Sequence, residues 1–247
     1  MNKNSQKFFR DNGLSSGLLN QYSEIFHSFG TRANGLSSQD SQHTDHLYKC
    51  SQQAAHNAGV DVNQIVCMEQ IHSNNVQIVK SPGIYEQTDG VITQKTDLVL
   101  CIQTADCAPI FLFDPDSRAI AALHGGWRGI SRDIIANAVK IMKNNFNVNP
   151  KKLITAVGPS LRDSCFEIGE DVLHHFDKKF ISNKKNQYYL KFVELIKSKL
   201  KDSGITNDNI DILNYCTQCN PEQFFSYRGD DQITGRMLNF IGMGLVG

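Results

Sequence analysis

Residues 104–130 read TADCAPIFLFDPDSRAIAALHGGWRGI, and the reading of this stretch decides the fold. PIFLF (109–113) is an apolar run, and RAIAAL (118–123), apolar after Arg118, returns as a second strand. Short apolar runs bounded by turn residues read as buried strands. DPDS (114–117) lies between them, with proline where a tight turn favours it. The pattern predicts an antiparallel hairpin with Phe113 opposite Arg118. That register carries Cys107 opposite His124, with Cβ atoms about 4.5–5.5 Å apart. A one-residue slip would send the two side chains to opposite faces.

A third residue of the same chemical kind is His72, in EQIHSNNV (69–76). Two imidazoles and one thiolate suit Zn²⁺, and three protein ligands leave a fourth position open, as catalytic zinc sites do. The spacing of His72, Cys107 and His124 matches no short zinc-finger pattern, so the case rests on their meeting in space. Taken singly, His72 reads as a surface histidine and Cys107 as a small buried side chain. HGGWRGI (124–130) sets two glycines and Arg128 between a strand end and a helix start. Glycines admit a ligand to the backbone, helix N-terminal amides favour anions, and Arg128 adds a charge-assisted contact. The same residues also read as a tight strand-to-helix turn with Trp127 packed in the core.

Outward from the hairpin, residues 47–58 predict a helix ended by Gly59. Residues 64–70, 76–80, 98–102, 152–157 and 210–213 predict strands. Ile134, Ile135, Ala138, Val139 and Met142 carry helical periodicity. Residues 170–176 predict a short helix. Residues 189–200 predict a longer one, with apolar positions at Tyr189, Val193, Ile196 and Leu200; the lysines from 178 to 201 read as its solvated face. Strands and helices mixed in this order indicate an α+β class, a mixed-sheet α/β single domain. Residues 1–20 are polar and read as an N-terminal extension, with residues 21–247 as the domain.

The chain has 247 residues, enough for a large core, and Lys+Arg and Asp+Glu number 25 each. That balance gives no electrostatic argument for nucleic acid or an anionic membrane surface. No segment is apolar for long enough to span a bilayer. Seven cysteines, an odd number, read as reduced thiols in the cytoplasm. CTQC (216–219) is a single C-x-x-C near the chain end, read as a chance pair of buried or turn cysteines. HTDH (43–46) reads as an exposed loop. Glu69, Asp89, Asp106, Glu167 and Glu170 are candidate acids or bases, and spacing selects none of them. Oligomeric state leaves no mark on the sequence.

EQIHSNNV, TDGVIT, TADCAPIFLFD, AALHGGWRG, GPSLRDSCFEIGEDV and FFSYRGDDQITGRM occur in this order. Together they resemble the laccase-domain family, also called YfiH-like or peptidoglycan editing factor, which includes purine nucleoside phosphorylases. The resemblance runs from about Gly30 to near the C-terminus. It implies a zinc site of His72, Cys107 and His124, and phosphorolysis of adenosine, guanosine, inosine and methylthioadenosine, with adenosine deamination. The family's usual H-A-G-W-R-G is HGGWRG here, with Gly125 for alanine. Its F-x-T-R-x-G-G-x-S stretch is matched by SFGTRANGLS, which keeps Arg32 and has Asn34 for a glycine. Arg32 and Arg128 are the phosphate-binding candidates. The substrates implied are purine nucleosides and phosphate. The alternatives are a copper polyphenol oxidase, since a His₂Cys site also holds copper; a cysteine hydrolase with Cys107 as nucleophile and His124 as base; and a cell-wall precursor editing factor. Against the first, the chain has eight histidines and no His-X-His.

Overall fold

A computed structural model of the chain describes residues 13–38 and 46–244. In chain order the strands are β1 (Ile25–Ser28), β2 (Ile65–Met68), β3 (Val76–Ile78), β4 (Gly83–Tyr85), β5 (Gly90–Thr93), β6 (Val99–Thr104), β7 (Ala108–Asp114), β8 (Ala119–Gly125), β9 (Ile154–Val157), β10 (Glu167–Ile168), β11 (Ile181–Lys184), β12 (Gln187–Leu190), β13 (Ile210–Ile212) and β14 (Met237–Met243). The α-helices are α1 (His46–Ala58), α2 (Trp127–Ser131), α3 (Ile134–Phe146), α4 (Glu170–Leu173) and α5 (Phe192–Asp202). One mixed sheet runs β13-β9-β7-β8-β5-β3, a second runs β1-β14-β6-β2-β4, and β10-β12-β11 form a small third.

The fully buried strands explain the layering, because their successive side chains serve different layers. Along β7, Ile110 and Leu112 face α3 and α5, whereas Phe111 and Phe113 face the second sheet. Along β6, Leu100 and Ile102 meet that inter-sheet layer, whereas Val99 and Cys101 meet α1 through Cys50, Ala54 and Ala58. The result is helix, sheet, sheet, helix, a mixed α/β arrangement with continuous apolar runs where a strand is covered on both faces. Phe111 is wholly buried and stacks on Phe29 at 4.7 Å between centroids.

The hairpin forms, with a register different from the expected one. Asp114 lies opposite Ala119 and Pro109 opposite His124. The turn is residues 115–118: the Asp114 carboxylate accepts the Ser117 amide at 2.9 Å, and Arg118 turns with φ 54°, so the return strand starts one residue later than expected. The pairing moves by two residues, and a two-residue shift keeps every side chain on its face. One step beyond Ala108 opposite Gly125, Cys107 comes level with Gly126, and His124 is its diagonal neighbour.

Residues 189–200 are a correction. Tyr189 belongs to β12, which pairs with β10 and, through a two-residue turn at Lys185 and Asn186, both at positive φ, with β11. Aromatic residues favour a paired strand, and the four-residue step from Tyr189 to Val193 imitated helical spacing. The helix starts at Phe192 and buries Phe192, Leu195, Ile196 and Leu200. From the polar tract at 1–20, residues 13–20 join the fold: Leu14 bridges Phe29, the Ser16 amide donates to His27 Nε2 at 2.8 Å, and Leu19 is buried. Of HTDH, residues 43–45 lie outside the described residues, and His46 opens α1.

Phe111→Ala empties the inter-sheet layer at its centre and removes the stacking on Phe29. Such truncations cost about 3–5 kcal/mol. Urea unfolding of the variant should show a loss of that size with an unchanged m-value.

Candidate metal centre

His72, Cys107 and His124 come from three elements and meet. Their ligand atoms lie within 4.8 Å of one another. Cys107 Sγ is 3.8 Å from His72 Nε2, and the two imidazole rings stand edge to face at 4.8 Å. His124 lies near the end of β8 and is buried; Cys107 precedes β7 and is half-buried; His72 lies on the loop after β2 and is the most open of the three. Solvent therefore reaches the group from the His72 side.

Asp89 holds two of the three in place. Its carboxylate is wholly buried and lies 2.7 Å from His124 Nδ1. It also accepts the amides of Ile71 at 3.2 Å, His72 at 3.0 Å and Ser73 at 2.6 Å, and the Ser73 hydroxyl at 2.7 Å. Three successive amides converge because His72 takes φ 59°, making a concave anion cradle. With Nδ1 committed to Asp89, His124 presents Nε2 to the cluster. A carboxylate behind a histidine is the usual partner of a metal-binding imidazole.

Asp106, the residue before Cys107, is itself held on both carboxylate oxygens. It turns the chain at φ 86° and accepts from the Thr217 hydroxyl at 2.6 Å and the Arg228 amide at 2.7 Å. Gly126 leaves the space: a Cβ there would sit 2.8 Å from His72 Cδ2 and 3.3 Å from Cys107 Sγ. The second glycine of HGGW is thus required by the cluster itself, a demand that the strand pattern did not reveal.

The electrostatics favour a thiolate. Burial pushes the Cys107 thiol up, but the charge of His124 and hydrogen bonds from His124 and His72 outweigh it and hold the pKa at about 6. For His124, burial works downward, while the Cys107 thiolate and Asp89 raise it to about 9. The donor set is therefore one soft thiolate and two imidazoles with the oriented nitrogens of a ligand group. These cysteine and histidine residues are compatible with a metal site.

The arginines divide differently. Arg32 donates to both Asp230 carboxylate oxygens at 2.9 and 2.7 Å and to the Phe224 carbonyl at 2.8 Å, and lies over the Phe225 ring. It fastens the 224–236 segment. Arg128 is exposed over Trp127, at the start of α2 beside Gly126. Arg236 is half-buried and interacts electrostatically with Cys107 and Tyr227. Sequence reasoning missed Arg236; the adjoining apolar run MLNFIGM, which forms β14, was the available signal that this arginine is held by a strand. Glu69, Glu167 and Glu170 do not join the cluster. A surface concavity of about 760 Å³, lined by Asn75, Gln77, Glu86 and Asn137 among others, lies beside the 69–76 loop and includes none of the three cluster residues.

Comparison with known proteins identifies the family. The family described as multi-copper polyphenol oxidoreductase laccase matches residues 18–244, and the chain belongs to that family. It is 32% identical over 200 residues to the purine nucleoside phosphorylase YlmD of Bacillus subtilis, covering 74% of this chain and 72% of the relative. Among solved structures, YfiH of Bacillus licheniformis superposes with a TM-score of 0.82 at 25% identity, covering 91% and 94% of the two chains. YlmD of Geobacillus stearothermophilus gives 0.81 at 25% identity, covering 90% and 93%.

Metal binding must compete with protons here. Near neutral pH the metal-free pair stands as thiolate and imidazolium, so an incoming ion displaces the His124 proton; below about pH 6 Cys107 is protonated too and more protons leave per ion. Apparent affinity should therefore fall as pH falls, more steeply below the thiol pKa. Calorimetric zinc titrations in buffers of different ionisation heat give the proton count directly.

Proposed function

We propose that the protein is a zinc-dependent purine nucleoside phosphorylase acting on adenosine, guanosine, inosine and methylthioadenosine, with adenosine deaminase activity. The observation that carries the reading is the convergence of His72, Cys107 and His124 with Asp89 behind two of them, on a chain whose relatives bear the phosphorylase name. His72, Cys107 and His124 would hold the ion and make the catalytic group. Bound there, zinc supplies Lewis acidity toward a phosphate or water oxygen.

The chain's own residues account for the rest. In phosphorolysis, phosphate attacks the anomeric carbon as the purine leaves, so positive charge builds on the sugar and negative charge on the base. Arg128 offers an exposed cation beside the cluster, and Arg236 a half-buried one that interacts electrostatically with Cys107. We assign phosphate binding to these two. Arg32, the other phosphate candidate, acts through Asp230, by holding the segment that carries Arg236. Asp89 keeps the His124 ring fixed while charge shifts in front of it. Seven free thiols fit a reducing cytoplasm, and among the described residues no helix is long and apolar enough to cross a membrane.

A multi-copper oxidase is the rival that the family description raises. Among the described residues, histidines enter one of the three possible ligand groups, and the other two are cysteine only. That donor set does not supply the several histidine-rich copper sites such an oxidase uses.

Purified protein given adenosine should release adenine with phosphate present and little without it, as read by product chromatography. Equal release without phosphate would show hydrolysis instead. Cys107→Ala should lose turnover and the zinc of this centre, and retention of wild-type zinc and turnover would contradict the assignment.

A further inference from the structure

CTQC alone offers two sulfurs, and the fold supplies a third. β9 and β13 are parallel neighbours, so the loops leaving their ends run side by side. Ser160 and Cys216 form a parallel bridge there, with the Thr217 amide donating to the Ser160 carbonyl at 3.2 Å. The first loop then turns at residues 162–166 and delivers Cys165 to the C-x-x-C. Cys165 Sγ and Cys219 Sγ are 3.2 Å apart, and the sulfurs of Cys165, Cys216 and Cys219 all lie within 4.8 Å of one another.

From this geometry we infer a second metal site, a three-thiolate centre of Cys165, Cys216 and Cys219 that takes a soft ion such as Zn²⁺, separate from the His72, Cys107 and His124 group. Sulfurs bound to one tetrahedral zinc at about 2.3 Å stand a little under 4 Å apart, which this cluster meets with small adjustment. The turn is also built for an anionic sulfur. The backbone amides of Cys219 and Arg162 donate to Cys216 Sγ, as amides do at a metal-binding C-x-x-C turn. Asn220 Nδ2 closes the turn on the Cys216 carbonyl at 2.8 Å, and Arg162 fastens it to the neighbouring strand end through the Tyr215 and Leu213 carbonyls. Cys216 is buried while Cys219 is exposed, so an ion has a path in and water can fill the fourth position.

Without an ion, three sulfurs this close cannot all ionise. Burial raises Cys216, yet the amides and its cysteine neighbours bring it below the ordinary thiol value, whereas Cys219, which donates its S–H to Cys165 and Cys216, is pushed up to about 12. A cation removes that conflict. Cys50, Cys67 and Cys101 are equally clustered, but they lie at 0–1% exposure among the apolar side chains between α1 and the second sheet. They have no comparable opening and read as small core residues. The new site does touch the first centre through structure, since Thr217 lies inside CTQC and donates to Asp106, next to Cys107.

The test is zinc stoichiometry on protein purified under reducing conditions. Wild type should carry about two ions per chain, and Cys219→Ser, Cys165→Ser and Cys107→Ser about one each. Circular dichroism checks that each variant is folded, and the exposed Cys219 is the mildest change. After cobalt replacement, sulfur-to-cobalt charge-transfer absorption should persist strongly in Cys107→Ser and be mostly lost in Cys219→Ser. Wild type and Cys219→Ser holding equal zinc would overturn the second site. So would a Cys165–Cys219 disulfide in the reduced preparation, found by peptide mapping. Loss of zinc from Cys219→Ser with none lost from Cys107→Ser would instead uphold this site and defeat the first.

Discussion

The buried carboxylate of Asp89 is the constraint around which the site is organised. A carboxylate removed from water carries a large desolvation cost unless donors surround it. Here three backbone amides, one hydroxyl and the His124 ring supply them. Hydrogen bonds to a charged group contribute about 1.5–3 kcal/mol each. The left-handed backbone at His72 costs about 1–2 kcal/mol, so two such bonds more than offset it. The same atoms that satisfy the charge set the loop carrying His72, and the ring bond sets the tautomer of His124. Asp89 is in turn fixed at the start of β5, where its amide donates to the Asn75 carbonyl and its carbonyl accepts the His124 amide at 2.7 Å.

The fold makes this arrangement by putting chain ends together. β8 delivers His124, the β2–β3 connection delivers His72, and the residue before β7 delivers Cys107. The hairpin of β7 and β8 is covered on both faces, by helices on one side and by the second sheet on the other. Its register is therefore strongly specified, because a slip would exchange the two packed faces. A ligand group mounted on such a hairpin inherits its rigidity. Gly126 then removes the one side chain that would occupy the middle of the group.

Much of this was legible in the residues. The apolar runs at 98–102, 109–113 and 118–123 marked the central strands, and the three ligand-type residues stood out by chemistry. The turn was the weak point: Arg118 adopts a left-handed conformation that no propensity assigns to arginine, so the pairing moved by two residues. It moved by an even number, and the convergence of Cys107 with His124 survived. Asp89 stood among five candidate acids, and only the three-dimensional cradle selects it. Arg32 stood out by its motif, whereas its partner Asp230, distant in sequence, is visible only in the fold. Likewise Cys165 and CTQC are brought together by parallel strands, a relation invisible to local spacing.

The central claim is that two ring nitrogens and one sulfur, held by Asp89 and spared by Gly126, take a single ion. Anomalous diffraction at the zinc edge, from crystals of the purified protein grown with zinc, addresses it most directly. The account expects a peak between His72 Nε2, His124 Nε2 and Cys107 Sγ, about 2.0–2.1 Å from each nitrogen and about 2.3 Å from the sulfur. Ordered side chains in their present arrangement with no peak between them would contradict it.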